Sequence, residues 1–268
     1  MRINKKSHQV LKLAGQDIET KSTSSMLIAS TTGKRQADKS LRIESKITEW
    51  LVDLNLPGGV KLSFDAANPN RKAENPAFEP ILTLLRAQLL NTPALVLDKD
   101  NKVASMEFRA DAEKDLDPAL KGTFNSKHAK LAAQQSIDRF PAKPVKKGDK
   151  WEREETLNLE AGQIMTLSKT YEYKGTVVKA GRTMHEISVV TTAVKYENDP
   201  ESPSPLKLSK SDLKVAESKE RLLFDIENGL IVEHTDVLRI KGDLALVVNG
   251  MDLAGSVDLT LSSDTTVE

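Results

Sequence analysis

A ten-residue phrase that occurs twice constrains the fold of this chain more than any other feature. Residues 95–104 read LVLDKDNKVA, and residues 222–231 read LLFDIENGLI. In each copy an apolar triplet is followed by Asp, a variable residue, an acidic residue and Asn, before a second apolar run begins. Two antiparallel strands joined by a tight turn have this pattern, and Asn228-Gly229 supplies the positive φ that short loops require. Both copies therefore predict β-hairpins.

The composition favours a folded chain with an aliphatic core. Of the 268 residues, 38% are hydrophobic, 29% are charged and only 4% are aromatic. Thirty-nine basic residues balance thirty-nine acidic ones, so no net charge attracts nucleic acid. The absence of cysteine excludes thiol catalysis, thiolate metal sites and disulfides. We therefore expect no cofactor and no nucleic-acid partner.

The first 64 residues predict an antiparallel meander. Short apolar or alternating runs are punctuated by turn signals at Gly15, Gly33 and residues 57–59. The alternation is regular over residues 41–47 and then shifts by one position, which predicts a β-bulge near Glu49.

A helix is predicted over residues 76–90. Asn75 is placed to cap it, Pro76 occupies its first position, and Pro80 falls in its first turn, where a missing N–H costs little. One face carries a row of apolar side chains at helical spacing: Phe78, Ile81, Leu82, Leu85 and Leu89. A weaker helical stretch is predicted to open at Asp117-Pro118, to break at Gly122 and to resume from Ser126 to about Arg139.

Strands are predicted to resume at Trp151, separated by Gly162, Gly175 and Gly181, with a Pro-rich exposed loop over residues 198–205. The order of elements predicts an α+β, β-rich fold in which a large curved antiparallel sheet, like a half-barrel, is covered by about two helices. Residues 1–268 are predicted to form one domain; the alternative is an N-terminal half over 1–140 and a C-terminal half over 151–268.

Three stretches, which span about residues 60–235, resemble a poorly characterised family of bacterial extracytoplasmic proteins. They are Leu62-Ser63-Phe64-Asp65 before the Pro-containing loop and helix, the hairpin over 95–108, and Lys147-Gly148-Asp149-Lys150-Trp151 leading into Tyr171-Glu172-Tyr173-Lys174-Gly175 and Leu223-Phe224-Asp225. The resemblance implies a cell-envelope location, either periplasmic or secreted, and no known enzymatic activity. The predicted architecture is also similar to the half-barrel of periplasmic lipoprotein-carrier proteins.

The location has a second interpretation, because the chain starts Met1-Arg2-Ile3-Asn4-Lys5-Lys6 without the apolar core of a signal peptide. The protein is then cytoplasmic, or a leader has been removed. No stretch approaches the roughly 20 apolar residues of a transmembrane helix.

Two His-Glu neighbours, His185-Glu186 and Glu233-His234, are candidates for an acid–base or metal site. Adjacent residues of a strand point to opposite faces, so neither pair forms a site alone. A hydrolase that uses His185 or His234 with a carboxylate from another strand is therefore an alternative function. Its requirement is that these side chains converge in a cleft.

Other motif matches lack required residues or partner motifs. Asp98-Lys99-Asp100-Asn101 resembles the start of a calcium loop, but Val103 and Arg109 replace the required Gly and Glu. Ser211-Asp212-Leu213-Lys214 has a Ser-x-x-Lys spacing without the partner motifs of an acyl-transfer site. We predict no catalytic, cofactor or metal residues.

The main functional prediction is a non-enzymatic binding or structural module. It holds an apolar small molecule or lipid in a cavity between the sheet and the helix over 76–90, whose lining is predicted to be Phe78, Ile81, Leu82, Leu85 and Leu89. A protein–protein interaction module that uses the Pro-rich loop over 199–205 is a further alternative.

Overall fold

The computed structural model describes residues 1–112, 114, 116, 124–141, 143–158, 163–199, 207–248 and 250–267, apart from the side chains of Asn158 and Val248. Within them the chain forms twelve strands and two α-helices. The strands are β1 (Arg2–Leu13), β2 (Gln16–Thr32), β3 (Leu41–Leu56), β4 (Val60–Asp65), β5 (Ala94–Leu97), β6 (Val103–Glu107), β7 (Lys150–Asn158), β8 (Gln163–Lys179), β9 (Arg182–Asn198), β10 (Lys207–Asp225), β11 (Leu230–Val248) and β12 (Met251–Thr266); the helices are α1 (Glu79–Leu90) and α2 (Ser126–Asp138).

The strands form one hydrogen-bonded sheet in the order β6-β5-β3-β2-β1-β12-β11-β10-β9-β8-β7, and β4 also pairs with β3. The strand pairs from β7 through to β12 are antiparallel, as are β3–β5 and β5–β6. The predicted α+β, β-rich class, with a large antiparallel sheet and two helices, is confirmed.

The described residues divide into two compact units. The first contains residues 1–3, 24–54 and 61–140, and the second contains residues 4–23, 55–60 and 141–268. The division falls at Phe140 and Pro141, next to the boundary of the predicted two-part alternative, but segments of the N-terminal strands belong to the second unit. The choice between one domain and two stays a prediction.

In the first unit, α1 packs against strands β2, β3 and β4. The core contains Trp50 and Phe64, whose rings meet edge to face at 5.4 Å, and Leu82 from the helix. The indole N–H of Trp50 donates to the hydroxyl of Ser24 at 3.0 Å, so the buried ring keeps its polar group satisfied. In β3 the buried positions are Ile47 and then Trp50, with two exposed residues between them, which is the predicted shift in alternation.

The helix predicted over 76–90 is confirmed with a small change at its start. Pro76–Phe78 form one 3₁₀ turn, and the α-helix runs from Glu79 to Leu90. The side chain of Asn75 accepts a hydrogen bond from the backbone N–H of Ala77, as its capping position predicts. The later helix, α2, begins after Asn125, whose side chain caps it. The predicted helix start at Asp117-Pro118 and the predicted break at Gly122 lie outside the described residues, as does most of the Pro-rich loop over 199–205.

Both repeated phrases form hairpins, as predicted. In the first, Asn101 has a φ of 61° and the Asp98 carboxylate accepts from two backbone N–H groups of the turn. In the second, β10 and β11 meet at a turn in which Gly229 has a φ of 67°.

Five strands of the second unit are 16 to 19 residues long, which is longer than the sequence pattern predicts. Gly175 was expected to separate two strands, but it lies within β8 at a register shift against β9. Gly242 also lies inside a continuous strand, β11. A glycine within a strand often marks a bulge or a close backbone approach, which explains the difference at Gly175.

Candidate functional site

The two candidate histidines have different partners from their sequence neighbours. His185 Nδ1 lies 2.7 Å from the hydroxyl of Tyr173, and the two rings stack with centroids 5.6 Å apart. His234 Nε2 lies 3.0 Å from Glu220 Oε1 and 4.0 Å from Asp236 Oδ1. One histidine thus contacts a carboxylate from another strand, as the hydrolase alternative requires, and the other contacts a phenol.

The neighbouring glutamates face the other side of the sheet and form a separate ion-pair group. Arg221 donates to Glu186 at 2.5 Å and to Glu233 at 2.8 Å, and Lys179 also pairs with Glu233. This arrangement follows from the strand alternation that separates each His from its adjacent Glu.

Glu220 and His234 belong to a row of polar side chains that crosses β7, β8, β10 and β11, which we call the buried charge row. Lys169 Nζ lies 2.8 Å from Glu155 and 3.0 Å from Glu220, while the Tyr171 hydroxyl donates to Glu155 at 2.9 Å. The Lys169 and Glu220 side chains are only 11% and 7% exposed. A charge this deeply buried needs a partner, and in this row each charge has one.

The protonation states in the row make it a poor acid–base catalyst. Burial by itself raises the pKa of Glu220, but the hydrogen bond from His234 and the charge of Lys169 outweigh it and lower the pKa to about 2. Burial likewise lowers the pKa of Lys169, but Glu220 and Glu155 outweigh it and raise the pKa above its usual value. A carboxylate with so low a pKa is a weak base, and a protonated lysine is no nucleophile.

The ladder between β9 and β10 is much shorter than either strand. It contains five residue pairs, from Glu220 with Val189 to Phe224 with His185. β9 continues to Asn198, fully paired with β8 on its other edge, and β10 begins at Lys207, fully paired with β11. In the described residues, the backbone ladder between these two strands therefore ends at Val189 and Glu220, although the strands stay side by side.

Side-chain hydrogen bonds link the two strands at both ends of the stretch that has no ladder. At one end the backbone N–H of Thr191 donates to the hydroxyl of Ser218 at 2.7 Å. At the other end the Asn198 amide makes two bonds to the backbone of Leu208. Its Nδ2 donates to the carbonyl oxygen at 2.7 Å, and its Oδ1 accepts from the N–H at 2.6 Å. Hydrogen bonds that involve side chains thus connect the strands here in place of a backbone ladder.

The space between these strands is a cleft of about 620 Å³, which we call the β9–β10 cleft. This volume falls within the range of about 300–1,000 Å³ that is typical of ligand sites. The lining comes from two short segments, Val194–Asn198 on one strand and Leu208–Leu213 on the other. No other element contributes a lining residue among the described parts of the chain.

The two faces of the cleft differ in polarity. Val194, Tyr196 and Leu213 contact a hydrophobic cluster in the second unit, with Met165 and Ile240 at its centre. Burial of Tyr196 against this wall raises the pKa of its phenol above the usual value. The opposite side carries charges of both signs: Lys195, Glu197, Lys210 and Asp212. The cleft therefore has an apolar wall on one face of the sheet and charged residues on the other, and these charges nearly cancel.

The five predicted cavity-lining residues come together on one side of α1 and of the 3₁₀ turn that precedes it. Leu82 is 2% exposed, and the other four are partly buried against the same core of the first unit: Phe78, Ile81, Leu85 and Leu89. A cavity of about 270 Å³ adjoins the helix elsewhere, beside Arg86 and Leu90. The predicted lining residues are absent from its walls.

Within the described residues, no group of three or more His, Asp or Glu side chains is arranged to hold a metal ion. The carboxylate of Asp98, the residue that resembled the start of a calcium loop, is used by the turn. The described helices include none that is long and apolar enough to cross a membrane.

Sequence reasoning missed the β9–β10 cleft and the buried charge row. Strand patterning identifies which residues alternate, but it does not show where two paired strands part. Asn198 at the end of a strand was read as the start of a loop, although a polar side chain there can also pair with a backbone.

Comparison with known proteins identifies a sequence family for the chain but no activity. The sequence model of a family of unknown function, DUF6263, matches residues 96–231, and no curated protein matches the chain. A structure of lipid–protein interactions in lipovitellin aligns with 100% of this chain and 25% of its own, at 10% identity and a TM-score of 0.41. A DUF1329 family protein from Desulfovibrio piger aligns over 97% and 84%, at 7% identity and a TM-score of 0.15.

The chain thus spans a quarter of the length of the lipovitellin chain. TM-scores below 0.5 do not establish a shared fold. The architecture described above rests on the hydrogen bonds and core of this chain alone.

Proposed function

Because the chain belongs to DUF6263, a family of unknown function, we propose from its own geometry that it is a binding module without catalytic activity, and that its ligand occupies the β9–β10 cleft. The observation that carries this proposal is a cleft lined by β9 and β10 where, in the described residues, their backbone ladder has ended at Val189 and Glu220. Long neighbouring strands normally continue their ladder, because each backbone hydrogen bond contributes to stability. Where the ladder ends, backbone donors and acceptors of both strands stay available to a ligand.

The cleft has the features of a binding site. Its volume suits a small ligand, one wall is apolar, and strand backbone supplies donors and acceptors along both sides. The protonation states of the buried charge row support the non-enzymatic part of the proposal.

Fragment binding followed by NMR tests the proposal. A set of small neutral aromatic and aliphatic compounds is added to the ¹⁵N-labelled protein, and binding is expected to shift the amides of Lys195, Tyr196 and Leu213. The variant Ser211→Trp places a large side chain in the lining and is expected to abolish these shifts. Thr183→Trp is the matched control, since Thr183 is an exposed residue of β9 outside the cleft. Shifts confined to other regions, or none, would reject the cleft as a binding site.

The predicted apolar or lipid site at α1 stays a separate proposal. Its five side chains already contact the core of their unit, so a lipid there would have to displace protein contacts. Native mass spectrometry after incubation with palmitate tests it, and an unchanged protein mass would reject it.

The extracytoplasmic location implied by the sequence resemblance also belongs to this proposal. Cell fractionation of the full-length protein tests it, and recovery from the cytoplasm alone would contradict it.

A further inference from the structure

We propose that the cavity of about 270 Å³ beside α1 binds a free amino acid with an aliphatic side chain, such as leucine. The described lining of this cavity belongs to the first unit, so the site is separate from the β9–β10 cleft and goes beyond the proposed function. Its walls offer a hydrogen-bond acceptor, cationic donors and an apolar surface, which match the ammonium group, the carboxylate and the side chain of such a molecule.

A buried amide brings the acceptor to the wall. Asn91 is only 8% exposed, and its Nδ2 donates to the carbonyl oxygen of Ala87 at 2.8 Å, which fixes the orientation of the amide. Within the described part of the chain no donor contacts the remaining Oδ1. This atom is not fully enclosed, so it is open to the cavity that Asn91 lines. Buried polar groups are nearly always hydrogen-bonded, so Oδ1 indicates a position for a donor of the ligand.

Two arginines bring cationic donors to the same cavity. Arg86 is 17% exposed and is held by Glu79 and by two backbone carbonyl oxygens. Arg109 donates to Asp111 through Nε and Nη2, both at 3.1 Å. Its Nη1 makes no bond to the described residues, and a guanidinium nitrogen of this kind donates readily to a carboxylate.

The charges around the cavity balance, which favours a ligand with both signs of charge. Arg109 pairs with Asp111, and Arg86 pairs with Glu79, so the walls favour neither a simple anion nor a simple cation. A zwitterion is complementary to both kinds of group. Its carboxylate can accept from Arg109, and its ammonium group can donate to Asn91 and Asp111.

The rest of the described lining is apolar and defines the side chain of the ligand. Ala112 and Leu116 form a hydrophobic cluster with Phe124, against which Ala87 also packs, and Leu90 adds an apolar side chain that is 68% exposed. The cavity volume is roughly nine times that of a water molecule in the liquid. Leucine is of this size, and the apolar wall accommodates its aliphatic side chain.

Titration of the ¹⁵N-labelled full chain with leucine tests the proposal. Binding is expected to shift the side-chain amide signal of Asn91 and the backbone amides of Ala87 and Ala112. Two analogues separate the charged groups, since isocaproate lacks the ammonium group of leucine and isoamylamine lacks its carboxylate. Each analogue loses charge-assisted hydrogen bonds, so we expect each to bind at least about tenfold more weakly than leucine.

Arg109→Gln and Arg71→Gln are matched variants, because both arginine side chains are 64% exposed and pair with a nearby carboxylate. Of the two, only Arg109 lines the cavity. Arg109→Gln is expected to weaken leucine binding at least about tenfold without weakening the binding of isoamylamine, which has no carboxylate. Arg71→Gln is expected to leave both affinities unchanged, and the signals of remote amides show that both variants are folded.

Three results would overturn the proposal. Isocaproate that binds as tightly as leucine would exclude a zwitterion, and equal losses of leucine affinity in the two variants would exclude the contact with Arg109. Absence of leucine-induced shifts at the cavity would reject the site. None of these results affects the β9–β10 cleft, whose fragment titration is followed at Lys195, Tyr196 and Leu213, so the two proposals fail separately.

Discussion

The side-chain amide of Asn198 makes the two hydrogen bonds to the backbone of Leu208 that a neighbouring strand would otherwise make. Its two hydrogen bonds, at 2.7 and 2.6 Å, satisfy both main-chain groups of a residue that is only 8% exposed. This contact closes one end of the β9–β10 cleft, and its loss would leave a nearly buried N–H and carbonyl without a protein partner.

Asn198→Ala is therefore expected to lower the free energy of unfolding by about 2 kcal/mol, the usual cost of leaving buried polar groups unsatisfied. Urea unfolding measures the change. Asn55→Ala is the matched control, because Asn55 is exposed on β3 and we expect a change within about 0.5 kcal/mol. Equal losses in the two variants would contradict the role assigned to the bridge.

Glu220→Gln is expected to destabilise the protein near neutral pH and to have less effect in acid. The pKa of Glu220 lies at about 2, below its usual 4.5, so its contribution is present above pH 4.5 and is lost as the pH falls towards 2. The difference in pKa corresponds to about 3 kcal/mol.

Urea unfolding of the native protein and the variant at pH 7 and pH 3 checks this expectation. The difference in unfolding free energy between them should be smaller at pH 3. Glu154→Gln, on the same strand as Glu155 but exposed, controls for the loss of any carboxylate. A difference that stays constant between the two pH values would show that the pKa of Glu220 is not lowered.

Gly242→Ala is expected to cost about 2–3 kcal/mol, because a close backbone approach leaves no room for a side chain. A Cβ atom at this position would lie 2.0 Å from the carbonyl oxygen of Asp212, on the neighbouring strand that lines the cleft. Gly250→Ala is the control. That glycine has a φ of 78° and no atom near the new Cβ, so only backbone strain of about 1 kcal/mol is expected. Thermal or urea unfolding should rank the two in this order, and the reverse order would refute the steric explanation.

The two hairpin aspartates are expected to differ in importance. Asp225 is 2% exposed, and its carboxylate accepts from the backbone of Glu227 and Asn228, the Asn228 amide and Arg182. Asp98 is partly exposed and accepts from two backbone N–H groups of its own turn. Asp225→Ala should therefore lower the urea midpoint more than Asp98→Ala does. The Asn variants, which keep an acceptor oxygen, should lie nearer to the native protein, and equal midpoints for the two Ala variants would contradict this prediction.

Leu82→Ala is expected to cost about 3 kcal/mol, because it leaves a cavity between α1 and the sheet. Leu90→Ala, at a position that is 68% exposed on the same helix, should change stability by no more than about 0.5 kcal/mol. Urea unfolding after removal of any bound lipid compares them. A small loss for Leu82→Ala would indicate that the interface is not filled by protein, as the lipid proposal requires.

The local secondary structure, helix α1 and the two hairpins, can be predicted from the sequence alone. Asn75 and the apolar row from Phe78 to Leu89 predict α1 because capping and helical spacing act within a few residues, and the two Asp-x-acidic-Asn phrases predict hairpins because turn geometry is a local property. The class of fold follows from the order of such elements.

Where the β9–β10 ladder ends, and which charged side chains pair, depends on the tertiary structure. Thr191 and Ser218 are 27 residues apart in the chain, and Lys169 and Glu220 are 51 apart. Their contacts depend on strand register and order, and the alternation of apolar residues is the same whether a strand's edge is paired or open. For this reason the cleft between β9 and β10, on which the proposed function rests, was visible only once β8 and β11 had fixed the positions of the two strands between them.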